Sequence, residues 1–277
     1  MKTYPCILSI AGSDCSGGAG IQADIKTISA LGAYAASAIT AITVQNTCGV
    51  EAVFPIPASF VAEQINAVLS DIRPVAVKIG MVTDTDIIRS IADCLRENKP
   101  KFVVFDPVMV SSSGRRLMED CAIEAMTNEL IPQATLITPN LSEAEVLTGH
   151  QVSNIEEMKI AAKEILRFGS QAVLVKGGHL EGGRMTDVLQ LAEQDEPILF
   201  SAPHIVSNNT HGTGCTLSSA IATFLALGES MENAIQHAKN YLYKGLFEGK
   251  DISIGKGHGP LNHLYNPVPM HIFIENE

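Results

Sequence analysis

Short apolar runs of strand length alternate with segments of helical period from the first residues to about position 178. Strands joined in this way are parallel neighbours linked by crossover helices. The alternation therefore predicts an α/β fold: three layers, a mostly parallel central sheet with helices on both faces. The strand candidates are Cys6 to Ala11, Ala35 to Val44, Val75 to Ile79, Phe102 to Phe105, Thr135 to Ile137 and Ala172 to Val175. Several are apolar throughout, as strands buried on both faces are. Between the first two, Ile21, Ile25, Ile28 and Leu31 share a helical face that Gly32 terminates. Ser153 followed by Glu156 is a capping-box pattern opening a helix through Met158, Ile165 and Leu166, closed by Gly169. Thr186 to Ala192 and Pro197 to Ile205 read as edge strands, antiparallel because no helix separates them. Helices over Gly214 to Leu227 and Met231 to Phe247 follow, and the tail from Gly249 reads as loop. With no internal repeat, low-complexity tract or Pro/Ser-rich linker, residues 1–277 are expected to form one domain.

A chain of 277 residues hides roughly three quarters of its unfolded surface, so a core is available without staples. With 46% hydrophobic and 18% charged residues it is not a disordered chain. A net charge of −11 argues against a nucleic-acid binder that neutralises phosphates with massed Lys and Arg. Any phosphate must be handled locally. No apolar run has membrane-span length, and the N-terminus turns polar before a signal-peptide cleavage site, so a cytoplasmic protein with no membrane partner is expected. The six cysteines are scattered without a C-x-x-C pair, which predicts free thiols in a reducing compartment.

In an open parallel sheet, ligands bind beyond the carboxyl ends of the strands. The residues there are Gly12 to Gly20, Gln45-Asn46-Thr47, Gly80-Met81, Asp106-Pro107, Thr138-Pro139-Asn140 and Lys176-Gly177-Gly178-His179. Each alone is an ordinary turn former; together they would line one crevice. Gly18-Ala19-Gly20-Ile21-Gln22-Ala23 fits the dinucleotide fingerprint, but Gln45-Asn46 stands where a ribose-binding acid belongs. The P-loop pattern also fails, because Arg184-Met185 stands where Lys and Ser/Thr are required after Gly183. The strongest signal is His211-Gly212-Thr213-Gly214-Cys215-Thr216-Leu217-Ser218, running straight into an apolar helix. Backbone N–H groups there, unobstructed at Gly212 and Gly214, make an anion site backed by the helix dipole. The alternative is a plain Gly turn before a buried helix.

These residues resemble the ribokinase-like kinases, and within them the hydroxymethylpyrimidine/phosphomethylpyrimidine kinases of thiamine biosynthesis, over almost the whole chain. The resemblance is carried by Ser16 to Asp24, Gln45-Asn46-Thr47, Lys78-Ile79-Gly80-Met81, Asp106-Pro107-Val108-Met109, Thr138-Pro139-Asn140, Val175 to His179 and Asn209 to Cys215. It implies two phosphoryl transfers from ATP, first onto the hydroxymethyl of 4-amino-5-hydroxymethyl-2-methylpyrimidine and then onto the monophosphate. It also implies a homodimer. Gly212, Thr213, Gly214 and Cys215 would supply the amide cradle, and Lys176 would reach the ATP phosphates. Asp106, Asn140 and Glu143 would hold Mg²⁺, with Asn140 also near the nucleotide. Gln45 would read the aminopyrimidine edge with its paired donor and acceptor, and Gly12, Met81 and Val108 would wall the pocket.

Cys215 stands where sugar kinases of the superfamily carry a catalytic Asp. A helix N-terminus favours a thiolate, which would take the substrate hydroxyl proton near neutral pH. The other reading is a small packing residue. The family's Lys-Ser-Gly after Asp-Pro-Val-Met is absent; Ser112-Ser113-Gly114-Arg115-Arg116 stands in its place, and Arg115 or Arg116 is the candidate substitute. A pyridoxal/pyridoxine kinase is the rival on the same scaffold, and a ligand sensor without turnover is the rival from another class.

Overall fold

The structure is a computed structural model that describes residues 1–109, 118–178 and 183–274. Strands β1 (Lys2–Thr3) and β2 (Cys6–Ser13) lead into helix α1 (Gly20–Ala30), strands β3 (Tyr34–Asn46) and β4 (Gly49–Pro55) and helix α2 (Ala58–Asp71). Strand β5 (Ala76–Ile79), helix α3 (Thr85–Asn98), strand β6 (Phe102–Phe105), helix α4 (Asp120–Ala125), strand β7 (Leu136–Ile137) and helices α5 (Leu141–Thr148) and α6 (Ile155–Leu166) follow. Strands β8 (Ala172–Val175), β9 (Arg184–Leu191) and β10 (Ile198–Pro203), helices α7 (Thr213–Ala226) and α8 (Met231–Gly249) and strand β11 (Phe273–Ile274) complete the chain.

Among the described residues the main sheet has nine strands in the order β10-β9-β8-β7-β6-β5-β2-β3-β4. The strands from β3 across to β8 run parallel. Both flanks finish antiparallel, with β4 on one side and β9 and β10 on the other. Side chains alternate across the sheet as the strand period requires. Leu8, Ile10, Val77, Ile79, Val103 and Phe105 pack with α2 to α6, and Ile7, Ala76, Val104 and Leu136 pack with α7 and α8 on the opposite face. Three layers result, as the alternation predicts.

The antiparallel pairing of β9 and β10 follows the expectation, and β6 and β8 begin and end where the apolar runs do. Other features differ. Strand β3 runs beyond Val44, so Gln45 and Asn46 are the end of a strand and not a loop. A register shift between Val44 and Gln45 breaks the ladder and re-aims the Gln45 side chain. Strand β4 was not expected. Ile25 lies on the outer face of α1, where Asp24 and Thr27 take the buried positions beside Ile21 and Ile28. The cap of α6 sits one residue later than the Ser153/Glu156 pattern: Asn154 accepts from the Glu157 amide, and the Glu157 carboxylate accepts from Ser153. The tail is loop apart from β11, which pairs with β1.

Candidate active site

Chain order reverses at β2, whose neighbours are β3 on one side and β5 on the other, and in open sheets of this kind ligands bind beyond the carboxyl ends of the strands at such a reversal. The β2–α1 loop is folded around Asp14. Its carboxylate accepts from Ser16 N at 2.8 Å, Ser16 Oγ at 2.7 Å, Gly18 N at 3.1 Å, Ala19 N at 2.8 Å and His211 Nε2 at 2.8 Å. Burial works against the charge, but the bonds from His211, Ser16 and Ala19 prevail and hold the carboxyl well below the usual range. His211 thereby fastens this loop to the start of α7.

Gly212 is the N-cap of α7 with φ +81°, and a Cβ there would overlap the Gly18 carbonyl oxygen. The two Gly-rich segments read separately from the sequence are thus one structure. Among the described residues, the N–H groups of Gly214 and Cys215 have no acceptor, as the first turn of a helix leaves them. Thr213 differs from the expected cradle, since its N–H turns back to Thr210 O at 3.3 Å. A Cβ on Gly214 would lie 3.2 Å from Asp106 Oδ2 and 3.4 Å from Lys176 Nζ. The predicted amides, the predicted lysine and the predicted carboxylate therefore meet at one point.

Asp106 follows β6; its Oδ1 accepts from Lys176 Nζ at 2.6 Å and Thr138 Oγ1 at 2.9 Å. Burial disfavours the Lys176 charge, yet Asp106 and Glu143 hold the ammonium above its ordinary range. The turn carrying Lys176 is braced from behind, where Gly177 N donates to Asp187 and Lys239 of α8 pairs with the same buried carboxylate. Asn140 and Glu143 form the capping box of α5, Asn140 Oδ1 accepting from Glu143 N at 2.9 Å and Glu143 Oε2 accepting from Asn140 N at 2.7 Å. Burial pushes Glu143 up to about 7; Lys176 opposes the rise and Asp106 adds to it. Among the described residues these two buried carboxylates share Lys176, while Lys78 is bonded to Asp24. That hard-oxygen set is short of positive charge and fits Mg²⁺ bound largely through water and phosphate oxygens. Among the described residues no group of three His, Cys, Asp or Glu side chains could cage a metal.

Beneath α7 lies a cluster that sequence reading missed as part of the site. Lys78 of β5 is fully buried and donates to both Asp24 oxygens, at 2.8 and 2.9 Å, while Ser9 and Ser219 donate to the same carboxylate. A lysine inside an otherwise apolar four-residue strand was the available signal. Burial raises the Cys215 thiol to about 11, with the Lys78 charge pulling the other way. The favoured thiolate expected from helix position alone is therefore corrected: desolvation outweighs the helix terminus.

Near the carboxyl end of β2 a Cβ on Gly12 would lie 2.6 Å from Met81 Cε, so those two predicted pocket walls touch. Val108 closes a turn onto Asp106 O at 2.9 Å and is half-buried. Gln45 Nε2 lies 3.1 Å from His211 Nε2, which brings the predicted ring reader beside the anion loop. Asp14 and His211 stand in two of the motifs read from the sequence, but their pairing is not legible there because 197 residues separate them. Arg115, Arg116 and His179 lie outside the described residues.

His263 locks the far side of α7. Its Nε2 lies 3.0 Å from Thr216 Oγ1, whose hydroxyl donates to Gly212 O, and burial pushes its pKa down to about 4. Below about pH 6.5 the unfolded chain takes up this proton and the folded chain does not, so stability falls with pH until about 4. Between pH 7 and 4.5 the wild type is expected to lose about 2–3 kcal/mol more than His263→Gln, read from urea melts.

The layered sheet, the helix-terminal amides and the Lys–Asp pair define a ribokinase-like phosphotransferase. A family model described as phosphomethylpyrimidine kinase matches residues 14–262. The chain belongs to that family. It is 49% identical over 259 residues to the hydroxymethylpyrimidine/phosphomethylpyrimidine kinase of Rhizobium meliloti, covering 93% of this chain and 96% of the relative. It is 46% identical over 258 residues, 93% of its length, to a thiamine biosynthesis bifunctional protein of Geobacter sulfurreducens, of which it spans 52%. An ADP complex of Bacillus subtilis pyridoxal kinase superposes with a TM-score of 0.87 at 35% identity, covering 94% of this chain and 98% of that one.

Proposed function

We propose that the protein is an ATP-dependent kinase of one ribokinase-like domain. It phosphorylates 4-amino-5-hydroxymethyl-2-methylpyrimidine and then its monophosphate to the diphosphate. The carrying observation is the convergence of the Gly214 and Cys215 amides, Lys176 and Asp106 on one point next to the Gln45, Gly12 and Met81 pocket. Phosphoryl transfer needs alignment and charge neutralisation more than covalent chemistry. The α7 amides hold the transferring group, and Lys176, kept charged by Asp106, offsets its growing negative charge. Mg²⁺, held by Asp106, Glu143 and Asn140, supplies the remaining neutralisation when bound. Gln45 orients the ring, and Cys215 accepts the hydroxyl proton. Six free thiols suit a reducing, cytoplasmic compartment. Exposed Ile42 and Val44 of β3 and Phe54 of β4, which the register places on one face of the sheet, provide the apolar face for a homodimer.

Purified protein with ATP and Mg²⁺ is expected to convert the aminopyrimidine alcohol to mono- and diphosphate. The likeness to a pyridoxal kinase supports a second reading, in which product forms only from pyridoxine. Absence of product from either alcohol would favour the reading as a ligand sensor.

A further inference from the structure

The hydrogen-bond partners of Gln45 are over-determined, and resolving them fixes which way its amide points. With Nε2 toward His211, that nitrogen lies 3.1 Å from His211 Nε2, and Gln45 Oε1 lies 3.3 Å from Thr43 Oγ1. Two conflicts follow. His211 Nε2 sits 2.8 Å from Asp14 Oδ2, and Asp14 takes four further hydrogen bonds from Ser16, Gly18 and Ala19 that keep it ionised. An ionised carboxylate at that distance requires a proton on Nε2, so the ring nitrogen is a donor and cannot accept from an amide NH₂. Thr43, meanwhile, has one hydroxyl proton and two acceptors, Ser13 O at 3.0 Å and Gln45 Oε1. Turning the amide by half a revolution removes the donor–donor clash and the competition at Thr43 without moving its outline, and the His211 Nε2–H is then shared between Asp14 Oδ2 and Gln45 Oε1 as a three-centre bond. Gln45 Oε1 then accepts from His211 Nε2–H, and Gln45 Nε2 donates to Thr43 Oγ1, whose own proton goes to Ser13 O.

We propose that His211, held by Asp14, and Thr43 are positioning residues that pin the Gln45 amide with its oxygen on the His211 side, and so set the enzyme's preference for an amino over an oxo pyrimidine. Pinned at both ends, the amide presents one remaining lone pair and one remaining N–H outward in a fixed order. That order pairs with an exocyclic amine next to an unprotonated ring nitrogen. A 4-oxo ring, with its carbonyl beside a ring N–H, shows the inverse pattern and is accepted only by a turned amide. The inference rests on Gln45 as the ring reader and adds what decides its orientation.

Neutron diffraction from the wild-type protein is expected to place the Gln45 Nε2 deuterons toward Thr43; deuterons toward His211 overturn the proposal. The ratio of kcat/KM for the aminopyrimidine alcohol to that for its 4-oxo counterpart gives the functional readout. It is expected to be about 10² or more in the wild type and to fall about tenfold in Thr43→Val and His211→Leu. His211→Gln, which restores an N–H at the Nε2 position, is expected to recover it. Thr43→Val is close to isosteric and serves if His211→Leu fails to fold. Loss of activity on both substrates at an unchanged ratio overturns the specificity role. If the deuterons face Thr43 but the wild type leaves the aminopyrimidine alcohol unphosphorylated, the substrate assignment fails while the pinned amide stands.

Discussion

Gly214→Ala is expected to lower kcat/KM by about 10²-fold, because the added methyl holds the transferring group away from its preorganised donors, an effect on the scale of losing one of them. The melting temperature should stay within a few degrees of the wild type. The added methyl would stand 3.2 Å from Asp106 Oδ2 and 3.4 Å from Lys176 Nζ, in the space that the transferring group must occupy. Within a helix, Ala is a better former than Gly by about 1 kcal/mol, so the fold has no reason to suffer. Gly212→Ala provides the contrast. There the residue has φ +81° and its Cβ would overlap the Gly18 carbonyl, so the β2–α1 loop and α7 must separate. That variant is expected to lose stability and activity together. Steady-state kinetics beside thermal melts distinguish the two, and a Gly214→Ala enzyme of normal kcat/KM would remove the phosphoryl group from this point.

What the sequence could reveal followed the range of the interactions. Strands β6 and β8 were legible because every residue is apolar and polar turns bound them. Strand β4 was not, because five of its seven residues are exposed and, among the described residues, it pairs with β3 alone, so burial left no pattern to read. The anion loop was legible because a helix N-terminus is a local device. The groups that fix its surroundings meet across the chain: Asp24 reaches Lys78 over 54 residues and Ser219 over 195. No periodicity marks such pairs. Gln45 was located by resemblance, but its aim depends on a register shift that only the β3–β4 pairing shows.

The same limit explains Cys215 and leads to the other large expected effect. Its place in the first turn of α7 argues for a thiolate, but its burial between Lys78, Asp24 and Asp106 raises the thiol to about 11. If the thiolate is the base, its fraction grows about tenfold per pH unit below that value, so kcat is expected to climb with pH from about 6.5 to 9. A base of high pKa is scarce at neutral pH but strong once formed, so the role survives at the cost of this slope. Cys215→Ala is expected to lower kcat by about 10²–10⁴ and to abolish the slope, the range for removing a general base. Cys215→Asp supplies a carboxylate ionised throughout that window and should recover part of the rate with a flat profile. The competing mechanism lets the hydroxyl proton leave late, without a protein base. It predicts nearly full turnover in Cys215→Ala and an unaltered profile, and that result would reduce Cys215 to a backbone amide and a packing side chain.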